Sequence, residues 1–136
     1  MARTNLPTTA LVPNNAVLNP ASTALDAANG MNIQIVTNGI PAGGNLDDLI
    51  LLVTNTTATS KVVTIRAGSN VNALNVPAFR AAIGDLVTQP LTATTGSAYL
   101  GPFDISRFQQ PDGSLNIDFA AGMTGTVTAL LKPKRF

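Results

Sequence analysis

Gln110-Pro-Asp-Gly-Ser-Leu-Asn-Ile-Asp-Phe119 is the stretch on which the fold of this chain turns. Pro111 presets one backbone angle and Gly113 accepts a positive φ, so the segment opens as a tight turn. Leu115, Ile117 and Phe119 then alternate with Asn116 and Asp118, the period of two that belongs to a strand with one buried face. The pattern predicts a turn closing a hairpin, followed by a strand that puts these three apolar side chains in a core.

Further segments of the same kind lie on both sides. Downstream, a turn at Gly122 to Gly125 leads into Thr126-Val-Thr-Ala-Leu-Leu131, a last strand. Upstream, Met31, Ile33 and Ile35 share one face, and Leu49 to Val53 is continuously apolar, as in a central strand covered on both sides. Asn55 to Ser60 is a polar turn into Lys61-Val-Val-Thr-Ile-Arg66, so these two strands read as a hairpin. Further strands are expected near Leu86 to Thr94, Ser97 to Leu100 and Asp104 to Gln109, with Pro90 demoting the first to an edge or a bulge. Asn38 to Asn45 reads as a loop, and 67 to 86 as a long connection with one helical turn near Ala78 to Ala82. The sum is an all-β domain of about eight short strands, a β-sandwich or jelly-roll-like arrangement or a small barrel, which sequence does not separate.

Residues 1–30 differ. Pro7, Pro13 and Pro20 interrupt any regular element, with a short helix possible only over Ala21 to Ala28, so the segment reads as an extended N-terminal arm. Leu6, Leu11, Val12 and Leu18 give it apolar anchors suited to lying on a partner. The division is therefore an arm at 1–30, a β-sandwich at 31–131 and a basic tail at 132–136. That tail, Lys132-Pro-Lys-Arg-Phe136, is either a solvated end or a docking element.

Composition limits the chemistry. The 136 residues hold no His and no Cys, and all seven acidic side chains are Asp, which removes the commonest general base and the imidazole and thiolate metal ligands. Asp47 and Asp48 are adjacent and would face opposite sides of a strand, without the ligand spacing of a calcium loop. Ser60-Lys61 lacks an orienting partner for a nucleophile. Gly39 to Gly44 lacks the lysine ending of a phosphate loop, and Pro41 removes an amide donor. These features predict no enzyme and no cofactor or metal. With one Tyr, no Trp and a net charge of +1, neither base stacking nor a strong field favours nucleic acid, and Phe108 and Phe119 read as packing residues. No apolar run is long enough to span a membrane, and the N-terminus lacks a signal-peptide core, so synthesis in a cytoplasm is expected and the Asn55-Thr56-Thr57 glycosylation sequon reads as accidental. Only 11% of residues are charged, a sparse surface that suits either burial in an assembly or a Thr- and Asn-rich exterior soluble without charge.

At Ile65-Arg-Ala-Gly68, Pro77-Ala-Phe-Arg80, Gly84-Asp-Leu86, Leu100-Gly-Pro-Phe103, Ser106-Arg-Phe108, Asp112-Gly113 and Met123-Thr-Gly-Thr-Val127 the sequence resembles small structural proteins of tailed actinobacteriophages, over residues 31 to 135. The resemblance implies a virion protein with a β-sandwich core, a head decoration (minor capsid) protein on the capsid exterior. Its partner would be the major capsid protein, and it would be a homo-oligomer, conceivably a trimer. Under that reading Leu6, Leu11, Val12 and Leu18 would be apolar anchors, and Arg3, Lys132, Lys134 and Arg135, with the terminal Phe136, would form the rim of the contact. The alternatives are another virion component, such as a head-tail connector, tail or head fibre, a carbohydrate- or receptor-binding module, or an Asp-dependent hydrolase.

Overall fold

A computed structural model describes residues 2–12, 14–17, 20, 22–33, 48–68, 84–103, 105–110 and 113–132. They form ten strands: β1 (Thr4–Asn5), β2 (Thr8–Ala10), β3 (Ser22–Ala24), β4 (Met31–Ile33), β5 (Leu49–Asn55), β6 (Val63–Ile65), β7 (Leu86–Val87), β8 (Gly96–Leu100), β9 (Leu115–Phe119) and β10 (Thr126–Leu131). A single helical turn, α1 (Ile105–Phe108), precedes β9. One sheet runs β1-β4-β9-β6-β7 and the other β2-β10-β5-β8, with β3 also paired to β10. The fold is all-β, two sheets face to face.

The core lies between the sheets and is built by alternation. In β9 Leu115, Ile117 and Phe119 are buried while Asn116 and Asp118 look outward, as the sequence period predicts. Leu49, Leu51 and Val53 on β5, Val63 and Ile65 on β6, and Val127, Ala129 and Leu131 on β10 meet them from both sides. β5 is central, between β10 and β8, and its second face is partly covered. Phe108 and Phe119 are packing residues. Because Phe119 occupies a filled interior, Phe119→Ala should lower the unfolding free energy by about 3 to 5 kcal/mol, measured by urea titration; a loss below about 1 kcal/mol would mean that the site is not a packed core position.

Several expectations are corrected. β5 and β6 are not a hairpin, because they lie in opposite sheets and the chain between them crosses the sandwich. Residues 105–108 are a helical turn, not a strand. A strand would place Phe103 and Phe108, five positions apart, on opposite faces; the helical turn brings both rings into the core, edge to face with centroids 5.8 Å apart. The turn before β9 is present, with Gly113 at φ 85° and its N–H donating to the Gln110 carbonyl (2.9 Å), yet it joins α1 to β9 and closes no hairpin. Ser22–Ala24 is strand rather than helix: β2 covers only Ala129 to Leu131 of β10, and Thr126 to Thr128 take β3 in the remaining space. The strand expected over Leu86 to Thr94 is only the two-residue β7, Leu86–Val87, at an edge of its sheet, and it ends before Pro90. Ile35, the loop at 38–45 and the helical turn near 78–82 lie outside the described residues.

The N-terminal segment is the largest correction. It is not an arm outside the domain. β1 pairs in parallel with β4, β2 pairs in parallel with β10, and Leu6-Pro7 carries the chain from one sheet to the other. That crossing drops the Leu6 side chain into the core with no exposure at all.

Candidate functional site

Asp118, on the outer face of β9, accepts hydrogen bonds from the guanidinium groups of both Arg3 and Arg66. Arg3 also donates to the Ile117 carbonyl (3.0 Å), and Arg66 reaches Asp85 (2.8 Å). The second oxygen of Asp85 accepts the Ala67 N–H (2.6 Å). A chain of four alternating charges thus ties β1, β9, β6 and the approach to β7 across one sheet face. Gly30, at φ 73°, makes room for it: a Cβ there would collide with the Arg3 guanidinium and the Asp118 carboxylate. Beside it, Asp26 accepts bonds from the Thr4 hydroxyl (2.6 Å), the Asn29 and Ala28 N–H groups (3.0 and 3.1 Å) and the Asn29 amide (3.1 Å).

These contacts set the acid behaviour. The Thr4 hydroxyl first, then the Asn29 donors, lower the Asp26 pKa from 3.8 to about 2. Burial opposes ionisation of Asp118, but the bonds from Arg3 and Arg66 outweigh it and leave the carboxyl below its ordinary value. Asp85 is lowered mainly by the Ala67 N–H. Each carboxyl binds its proton less readily in the folded chain than in the unfolded one, so the stabilisation is complete above the ordinary value of 3.8 and is lost as pH falls from there through each lowered folded value, about 2 for Asp26. Thermal unfolding at pH 6, 4, 3 and 2 should show this loss, and Asp118→Asn should flatten it while costing about 1 to 2 kcal/mol at neutral pH.

Asn55, the first residue of the sequon, is wholly buried at the end of β5. Its amide donates to the carbonyls of Thr59, Leu91 and Thr92 (3.1, 3.1 and 3.2 Å), and its oxygen accepts the Thr57 N–H (3.0 Å). A glycan cannot be attached there without opening the fold. Lys61 is likewise occupied, its ammonium on the Ala121 carbonyl (2.9 Å) rather than on Ser60. Among the described residues no three carboxylates converge as a metal site would require.

A concave feature among the described residues is an open groove of about 480 Å³ between residues 86–92 and β8, lined by Leu86, Val87, Pro90, Leu91, Ala98 and Leu100 with Thr88, Gln89, Thr92, Gly96 and Ser97. Val87 is 56% exposed, and Tyr99, outside the groove on the outer face of β8, is 72% exposed. Phe103, Phe108 and Phe119 are buried, so Tyr99 has no aromatic companion among the described residues.

The residues expected at a partner interface divide in three. Leu6 and Arg3 are corrected: the first is core and the second is spent on Asp118, so neither is free to anchor a partner. Leu11, Val12 and Lys132 are brought together. Ala10 stands opposite Leu131, and the Leu11 N–H donates to the Leu131 carbonyl (2.9 Å), leaving Val12 and Lys132 exposed at the same end of one sheet. Leu18, Lys134, Arg135 and Phe136 lie outside the described residues. The ionic chain and the Asn55 hub went unread in the sequence; the signal for the first was Asp118 on the outward face of the amphipathic strand with Arg66 outward on another. No family model, curated protein sequence or solved structure matches the chain.

Proposed function

We propose that this chain is a non-catalytic structural protein of a phage virion, a head decoration protein that binds the outer surface of the major capsid shell as a homo-oligomer and reinforces it. The observation that carries this reading is the use made of the few charges. Arg3, Arg66, Asp85 and Asp118 brace one sheet, Asp26 locks the segment preceding β4, and Lys61 braces a turn. Among the described residues what faces outward is largely Thr, Ser, Asn and apolar surface, suited to broad contact by shape and backbone polarity rather than to turnover. Val12 and Lys132, both exposed at one end of the sheet, are the contact residues this reading retains. Binding only to the intact shell would stabilise it by linkage. No cofactor enters this reading.

The test is addition of the purified chain to phage heads that lack it. Saturable binding and a higher temperature of DNA release are expected, with Val12→Asp/Lys132→Glu weakening both. Absence of the chain from purified virions, or binding confined to tails, would overturn the head assignment. Saturable binding to a glycan array would favour a receptor-binding module instead.

A further inference from the structure

Every open sheet is a template for another strand unless its edges are shortened, charged or interrupted by proline. Most edges here have such protection. β1 has two residues between Arg3 and Pro7, β2 three residues after Pro7, β3 three residues just before Asp26, and β7 two residues between Asp85 and Pro90. β8 is the exception. It has five residues, contains no charge or proline, and lies in a stretch from Leu86 to Phe103 with no charged side chain. Among the described residues it is paired on one side only, with β5.

Its outer side is ready to pair. The Lys132 N–H donates to the Asp48 carbonyl (2.8 Å) and the Thr56 N–H to the Thr124 carbonyl (2.9 Å). β5 therefore turns the backbone groups of its even-numbered residues to β10 and those of Leu51, Val53 and Asn55 to Leu100, Ala98 and Gly96. By the two-residue period the backbone groups of Ser97 and Tyr99 face outward. Ser97 and Tyr99 stand exposed on the outer face. The strand also complements its own reverse. With Ala98 opposite Ala98 of a second copy, Tyr99 falls opposite Ser97 and Leu100 opposite Gly96, so each large side chain meets a small one. The absence of charge removes like-charge repulsion between the two copies. We propose that two copies of this chain join antiparallel along Gly96–Leu100, about a twofold axis through Ala98, making one continuous sheet of two. This concerns how the chain meets its own copies and stands whether or not a capsid is the larger partner.

Light scattering on a concentration series of the full chain tests it, the expected species having twice the 14.0 kDa of one chain. Tyr99→Pro removes an outward N–H that β5 does not use and should raise the dimer dissociation constant about tenfold or more, with an unchanged circular dichroism spectrum. If that variant does not fold, Ser97→Lys/Tyr99→Lys decides, since both side chains are exposed and each lysine would oppose another across the axis. Mixing it with Ser97→Asp/Tyr99→Asp should restore a heterodimer. A wild type that stays monomeric to about 1 mM, or a dimer that survives the lysine pair, would overturn the proposal.

Discussion

Deleting residues 1–25 should abolish cooperative folding, not release an otherwise intact domain. The deletion removes β1, β2 and β3, and with them one whole flank of β10 and the outer partner of β4. It also removes Leu6, one of the fully buried side chains of the core, and Arg3, one of two cations on Asp118. Loss of the Leu6 side chain alone costs about 2 to 5 kcal/mol, against a total stability of about 5 to 15 kcal/mol for a domain of ordinary size. Circular dichroism and a urea titration of the truncated chain would show no folding transition. A cooperative transition near that of the full chain would mean that the N-terminal strands are an appendage after all, and would return them to the role of a partner-binding arm.

Asn55→Asp should be the most damaging near-isosteric substitution in the described chain. It changes shape little, but it replaces an amide that donates to three carbonyls with a carboxylate that can only accept, at a position with no solvent contact. Burial and the facing carbonyls push such a carboxyl up by about 3 to 5 pH units, and since pH 7 lies only about 3 units above the ordinary carboxyl value the loss there is about 4 kcal/mol. The sign is opposite to that of the natural carboxylates. A group whose folded pKa is raised above its unfolded value destabilises most when ionised in the unfolded chain, so the penalty should shrink as pH falls from 7 toward 4. The variant should therefore gain stability across a range in which the parent changes little. Equal midpoints for variant and parent at pH 7 would show that Asn55 is solvated and not a hub.

The strands were legible where one face is apolar and the other polar. Leu115 to Phe119, Val63 and Ile65, and the apolar run from Leu49 announce themselves because side-chain alternation is a local property. Which strands pair is not local. Asn55 to Ser60 has the composition of a hairpin turn, yet the chain crosses to the other sheet there, and Asn55 braces that crossing through carbonyls at Leu91 and Thr92 far along the sequence. The prolines of the N-terminal segment suggested an arm because they rule out long elements. They do not rule out pieces of two or three residues, and Pro7 stands where the ladder must break for the chain to change sheets. The ionic chain was hidden for the same reason: Arg3 and Asp118 are 115 residues apart and meet only after β1 has docked beside β4.

The placement of β10 has a consequence for synthesis. This strand is the hub of its sheet, taking β2 and β3 along one side and β5 along the other, and through it residues near the start of the chain are held by residues 126–131. A chain emerging from the ribosome has nowhere to put β2, β3 or one side of β5 until Leu131 has been made. The half-made product would expose the apolar faces of these strands for most of translation. Their closure would then come late and all at once, as nonlocal strand pairings do, and chaperone dependence should fall on the nascent chain rather than on the finished fold.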